Sequence, residues 1–240
     1  LRANYLGSAQ FLNTAANFAD ALTVNRADTT LSLTDASGIT GQLISTTATL
    51  GIVAPGAGVP GGVIRFTLTG PSNFSADVTV VNVGGVYQAT LQRNDLLAGS
   101  YTVSSQYLDS TGQFNTSTSN NATITVAKTD AVLTLNPNPQ SQFADTVTFT
   151  ANVVSSLLPS GVAITGVVYF EMYRVSNGAL VGFGDGTVTN GVASFTAPAL
   201  LGVGQYQVVA RYQGDANYNA TGNQTTLHTI TSASTSTGVT

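Results

Sequence analysis

The sequence has no cysteine and very little charge. Without cysteine there are no disulfides, no thiolate metal site and no cysteine nucleophile. That absence leaves the compartment open. Charged residues are 8% of the 240, against about 25% in an average soluble domain. There is one lysine (Lys128), one glutamate (Glu171) and one histidine (His228). The formal net charge is −4, so no basic patch exists for nucleic acid and no Lys/Arg cluster for an anionic membrane. No run of 18 apolar residues offers a transmembrane helix. The first residue is Leu1 and no charged n-region or apolar h-region follows it, so a leader is expected to have been removed or to lie far upstream. Such scarcity of lysine argues against a typical cytosolic enzyme. What remains is a chain 42% hydrophobic, enough for a packed core, under a surface of Ser, Thr, Asn, Gln and Gly.

The chain repeats. The stretch RYQGDANYNATG, Arg211 to Gly222, has two relatives: NYLGSAQFLNTA from Asn4 to Ala15 and QYLDSTGQFNTS from Gln106 to Ser117. Tyr5, Tyr107 and Tyr212 correspond, as do Phe11, Phe114 and Tyr218. Each segment leads into an alternating strand expected to end at Val24, Val126 or Ile230. The register extends through Arg26-Ala-Asp28 with Lys128-Thr-Asp130, and Val63-Ile-Arg-Phe66 with Val167-Val-Tyr-Phe170. A period near 100 residues is too long for a solenoid unit and describes whole domains in tandem.

Alternation predicts strands, as in Thr146 to Val153. Gly84-Gly85 and Asn190-Gly191 supply the positive φ angles of two-residue hairpin turns. Helix signals are nearly absent; Asn94 to Ala98 has room for one short turn. Roughly seven strands per repeat read as all-β, tandem immunoglobulin-like Greek-key β-sandwiches. Gly99-Ser-Tyr101 and Gly204-Gln-Tyr206 fit the tyrosine corner at the entrance to the penultimate strand, where the hydroxyl bonds to backbone a few residues upstream. Val103 and Val208 stand two residues later, where antibody domains have cysteine, so these cores must close by packing alone.

The pattern Leu201…Gly204-x-Tyr206-x-Val208-x-Ala210-x-Tyr212-x-Gly214-Asp215-x-x-Tyr218-x-x-Thr221 resembles the bacterial Ig-like repeat, the Big superfamily. The resemblance is fullest over residues 130–231. It is partial over 28–127, where Asp109-Ser-Thr-Gly112 replaces the Gly-Asp turn, and it covers the first 24 residues only as a terminal strand pair. It implies tandem arrays on secreted or surface proteins of bacteria, and no catalytic residue to carry over. Tyr107, Tyr212 and Tyr218 are then packing groups of a corner, and Gly214-Asp215 its turn, with Asp favoured because its side chain bonds nearby backbone.

The expected organisation is a strand pair in residues 1–25, Ig-like domains at 28–127 and 130–231, and a Ser/Thr-rich linker or new repeat at 232–240. The strand pair is either the end of a preceding repeat or a pair donated to a neighbouring molecule, since two strands alone are marginal. The four-residue linkers contain no Gly or Pro, so hinge freedom should be restricted. Their charges, Arg26, Asp28, Lys128 and Asp130, suit a solvated linker or a polar seam.

Candidate chemistry is sparse. His228 is the one residue that a Ser-His-Asp triad would use, and its counterparts are Leu22 and Ile124, which marks it as a strand residue. Glu171 alternates with Phe170 and Met172, which points it outward. An isopeptide bond would need a buried lysine, and Lys128 is in a linker. No cofactor is expected; calcium is the one metal left open, and the ten aspartates form no D-x-D-x-D loop. Gly182-Phe-Gly-Asp-Gly186 has no following helix to hold a phosphate. N-x-Ser/Thr sequons fall at Asn73, Asn115, Asn121, Asn219 and Asn223, relevant where the source glycosylates surface proteins. The expected function is a non-catalytic spacer or stalk of an extracellular fibre, adhesin or surface layer. Its partners would be neighbouring domains of the chain, with identical subunits and glycans as further ones. Two rivals remain: a self-assembling subunit joined by donated strands, and a glycan-binding accessory module, which would gather exposed aromatics such as Tyr87, Tyr169 and Tyr173 on one face.

Overall fold

The computed structural model describes residues 2–17, 23–159 and 161–234. Every regular element among them is a strand. A hairpin comes first, β1 (Arg2–Tyr5) and β2 (Thr14–Asn17), paired antiparallel with Tyr5 opposite Thr14. Nine strands follow: β3 (Thr29–Leu33), β4 (Ala36–Ile39), β5 (Ile44–Ile52), β6 (Val63–Thr69), β7 (Phe74–Thr79), β8 (Val81–Val83), β9 (Val86–Arg93), β10 (Gly99–Leu108) and β11 (Ala122–Ala127). Eight more are β12 (Val132–Leu135), β13 (Gln140–Gln142), β14 (Thr148–Val154), β15 (Val167–Arg174), β16 (Leu180–Thr187), β17 (Val192–Thr196), β18 (Gly204–Tyr212) and β19 (Gln224–Thr231).

These strands build two sandwiches. The first stacks a sheet ordered β3-β5-β9-β8 on one ordered β4-β11-β10-β6-β7; the second stacks β12-β14-β17 on β13-β19-β18-β15-β16. In both, the opening strand splits between the sheets. β3 pairs antiparallel with β5, then β4 crosses over and runs parallel to β11. β12 pairs with β14, and β13 crosses to run parallel to β19. Asn136-Pro-Asn-Pro139 occupies the second crossing, where proline can donate no ladder hydrogen bond and so ends β12.

Period-two alternation makes each strand two-faced. β11 alternates buried and exposed along its whole length, and β10 buries Tyr101, Val103, Ser105 and Tyr107. The inward residues form two separate cores, one from Leu31 to Val126 around Phe66 and Tyr107, the other from Leu133 to Ile230 around Phe149, Phe170 and Met172. Each large side chain fully buried in this way stabilises by about 1.5–3 kcal/mol. With no disulfide these two clusters carry the fold. The two hairpins drawn from Gly84-Gly85 and Asn190-Gly191 turn with φ of 60° and 92°, and of 50° and 78°. Those values are the left-handed pair that a type I′ turn demands. The segment Asn94 to Ala98 contains no helical turn.

The N-terminal hairpin differs from both sandwiches. All residues of β1 and β2 are exposed. Tyr5 is 47% and Phe11 69% exposed, so the hairpin carries core-type residues with no core beneath them. Of the strand expected to reach Val24, Thr14 to Asn17 is described as strand and residues 18–22 lie outside the described set; Val24 is 85% exposed and outside any strand.

Candidate functional site

The repeated stretch forms the corner between the last two strands of each sandwich, and a carboxylate organises it. In the second sandwich, Asp215 Oδ1 accepts from the amides of Asn217 and Tyr218, each at 2.8 Å. Its Oδ2 accepts from the amide and hydroxyl of Thr165, also at 2.8 Å, across the sequence in the loop before β15. Gly214 enters the turn at φ 80°. In the first sandwich Asp109 takes the same office from a different position. Its Oδ1 accepts from Thr111 N at 2.9 Å, and its Oδ2 from Phe114 N at 3.1 Å. The Asp109-Ser-Thr-Gly112 segment therefore keeps the carboxylate and shifts the glycine to the far side of the turn. Burial would raise both carboxyls, and the converging hydrogen bonds outweigh it, holding both below the ordinary aspartate value.

One tyrosine braces each corner. Tyr107 donates to Gly61 O and Tyr212 to Thr165 O, each at 2.7 Å, fixing the loop that precedes β6 or β15. Burial, then the neighbouring aspartate, pushes both phenols up. Tyr101 and Tyr206 sit at the opposite end. Tyr206 donates to Gly202 O at 2.6 Å, and Tyr101 donates to Leu97 O at 3.1 Å while accepting from Leu97 N at 3.0 Å. This is the four-residue return bond that defines a tyrosine corner. Tyr218 is fully buried and its hydroxyl has no hydrogen-bond partner. Phe114 fills the matching place in the first sandwich.

The corner also holds the incoming linker. Ala27 N donates to Gln113 O, and Ala27 O accepts from Asn115 N, both at 2.9 Å. Thr129 repeats this with Asn217 and Asn219. Asn115 Nδ2 bonds Asp28, and Asn219 Nδ2 bonds Asp130, each at 2.8 Å. Lys128 Nζ reaches Asp215 O at 2.6 Å. Asp28, Lys128 and Asp130 are thus pinned to the corners, and two of the sequon asparagines donate to the aspartates.

Where the sandwiches meet, Ala98 N donates to Asn217 Oδ1 at 3.0 Å. Thr40 N donates to Ala127 O at 2.9 Å, binding the linker's start to the first sandwich. Gly41, at φ 83°, lies so close to Leu157 that a Cβ there would stand 2.9 Å from its backbone carbon. Asn217 escaped the sequence reading, yet a signal was present. A carboxamide precedes the aromatic in all three copies, as Gln10, Gln113 and Asn217. The hairpin reproduces the corner too: Ser8 N bonds Phe11 O at 2.8 Å as Asp215 N bonds Tyr218 O at 3.1 Å, and Gly7 has φ 84°.

The remaining candidates lie apart. His228 is fully buried; its Nδ1 donates to Asn138 O at 2.6 Å and its Nε2 lies 3.0 Å from the Ser141 hydroxyl. The group orienting it is a backbone carbonyl, and the pair staples β13 to β19. Glu171 stands on the outer face of β15 between Tyr169 and Tyr173, while Tyr87 packs half-buried against the first core. Among the described residues no three His, Cys, Asp or Glu gather as a metal site, and no helix is long and apolar enough to cross a membrane.

The fold is an immunoglobulin-like β-sandwich in tandem. Residues 133–231 match the family model of the bacterial Ig-like domain (group 3), which recovers over the second sandwich the resemblance drawn from its residues. No curated protein matches the chain. Among solved structures it is similar to a tetra-tandem repeat from the extending region of a large adhesion protein, at 24% identity and TM-score 0.50 over 85% of this chain. The chain spans about half of that relative, 49%. The adhesin InvE of Yersinia pseudotuberculosis aligns at 18% identity and TM-score 0.40 over 83% of this chain and 58% of its own. Two fibronectin type III domains of chicken tenascin align at 14% and 0.39 over 81% and 96%.

Two outcomes follow from the corners. In urea unfolding, Tyr206→Phe should cost about 1 kcal/mol and Tyr101→Phe more, since Leu97 N loses its acceptor. Tyr218→Phe should cost nothing or stabilise by up to about 1 kcal/mol, because its unpartnered hydroxyl is removed from the core. As for pH, a carboxyl depressed in the native state stabilises above its unfolded value, about 3.9, and loses that contribution as pH falls through the lower native value. The thermal midpoint should therefore hold from neutrality to about pH 5 and fall below about pH 4. Asp215→Asn should lower it at pH 7 and flatten the acid limb of the second sandwich, as followed by calorimetry.

Proposed function

We propose that this chain is a non-catalytic spacer segment of an extracellular bacterial surface protein, with domains at 28–127 and 130–231. The observation that carries this reading is the junction. The linker at Ala127–Asp130 is bonded on both sides, and the Ala98–Asn217 bond joins the two sandwiches directly. A hinge built for motion would leave a linker solvated and unbonded. The nearly uncharged surface supports the reading, since little like-charge repulsion opposes close packing of many copies. Location on the cell surface is supported by the match to the bacterial Ig-like domain and by the large adhesion protein of similar fold.

The test is orientation in solution. Residual dipolar couplings should yield one shared alignment tensor for the two sandwiches. Asn217→Ala, which removes the acceptor of Ala98 N, should give two diverging tensors while each sandwich stays folded. Diverging tensors in the unaltered chain would sink the semi-rigid spacer.

A second reading rests on the exposed hairpin. Its corner repeats that of the other two copies, yet Tyr5 and Phe11 cover no core. As the last strand pair of a preceding repeat, the hairpin would be covered by that repeat's other strands. As a donated pair, it would be covered by a neighbouring molecule. Sedimentation of the full chain beside one lacking residues 1–24 separates the two. Monomers in both cases favour the spacer; oligomers formed only by the full chain favour a polymerising subunit.

A further inference from the structure

The two sandwiches share their inward residues and differ on one outward face. Register pairs the strands identically: Arg65 lies opposite Asp77 in the first sandwich, and Tyr169 lies opposite Asp185 in the second. Two residues along, Thr67 faces Ser75, and Glu171 faces Phe183. The first face is polar and closed on itself, with Arg65 Nε bonded to Asp77 at 2.7 Å. On the second face, rings replace these polar groups. Tyr169 stands for Arg65, Phe183 for Ser75, and Tyr173 for Thr69. Phe183 is 64% exposed. A spacer needs no aromatic residues on its outer surface, and the first sandwich shows that the fold holds without them.

From this difference we propose that the outer face of the sheet ordered β13-β19-β18-β15-β16 is a platform for a neutral oligosaccharide. Tyr169, Tyr173 and Phe183 stack on sugar rings, and Glu171, Asp185 and Arg211 bond hydroxyls. The placement suits that ligand. Tyr169 and Tyr173 lie four residues apart on one strand, about 13 Å, with Phe183 beside the point midway between them. The span exceeds one sugar ring and fits a short chain. Between the rings stand a carboxylate and a guanidinium, the groups that take and give hydrogen bonds to hydroxyls most strongly. The Arg211 guanidinium carbon is 5.1 Å from the Tyr169 ring centroid. The Tyr173 hydroxyl is held above its ordinary value, first by loss of solvent and then by the Glu171 carboxylate. These side chains therefore act on one another as a single cluster.

Charge decides between this occupant and a second copy of the chain. The platform brings one guanidinium and two carboxylates. Two copies face to face would bring two guanidiniums against four carboxylates, leaving two buried without a cation, which is costly. A sugar satisfies carboxylates with neutral O–H donors and leaves their far sides wet. The same surplus of negative charge disfavours an acidic saccharide.

The full chain, titrated by NMR with cellohexaose, chitohexaose and maltohexaose, should bind at least one of them. Shifts should be confined to β15, β16 and β18. Polygalacturonate should not bind. Phe183→Ser and Tyr173→Thr, which install the residues of the first sandwich, should each raise Kd roughly tenfold with the thermal midpoint held. Failure of all three hexasaccharides at millimolar concentration overturns the proposal, as does binding that survives both substitutions. Dimers abolished by Phe183→Ser would show a protein interface in its place. None of these outcomes bears on the spacer reading, which the dipolar couplings test alone.

Discussion

One carboxylate in each sandwich holds the parts that everything else depends on. Asp215 gathers four hydrogen bonds from two places, the turn after β18 and the loop before β15. That turn then presents Asn217 and Asn219, whose backbone takes in the linker at Thr129. Order passes outward from the carboxylate to the turn, to the linker, and to the contact between sandwiches. Asp109 organises its own turn with a shifted glycine, while the loop before β6 is held by Tyr107 instead. Evidently the requirement is for an anionic acceptor within reach of several amides, and not for a fixed spacing from the tyrosine. Charge-assisted bonds of this kind are the stronger members of a network, which suits a protein that has few charges to place.

Scarcity of charge also shapes the surface. With 8% charged residues, outward strand positions are mostly Ser, Thr, Asn and Gln. The pinned linker shows where several of the few charges are spent: Asp28, Asp130 and Lys128 each bond a corner residue. The outer face with Glu171, Asp185 and Arg211 holds three more. Several of the few charges thus sit at the joints and on that one face, while Arg65 with Asp77 and Arg93 with Asp95 pair on the first sandwich.

Much of this was legible in the residues. Alternation and the turn pairs gave the strands, because a two-faced strand must alternate and a type I′ turn must have positive φ twice. The repeat placed Tyr101, Tyr206, Tyr107 and Tyr212 together with their turns. Three things were out of reach. The acceptors of Tyr107 and Tyr212, Gly61 and Thr165, lie 46 and 47 residues away, and backbone carbonyls leave no trace in composition. The equivalence of Asp109 and Asp215 was hidden by the moved glycine. The ring-bearing face depended on cross-strand register, since Phe183 joins Tyr169 and Tyr173 only once β16 is set against β15. Asn217 was a different case, visible as a repeated carboxamide and passed over because a single amide suggests no chemistry until its partner is known.

The split opening strand has a mechanical consequence. β4 runs parallel to β11, and β13 parallel to β19, so each sandwich's entering and leaving strands lie side by side in the same direction. Tension applied at the two ends draws such neighbours lengthwise past each other. Their backbone bonds are then strained in shear and must yield together, whereas an antiparallel pair pulled from one end would unzip bond by bond. Each sandwich thus meets a pull along the chain with its most cooperative set of hydrogen bonds.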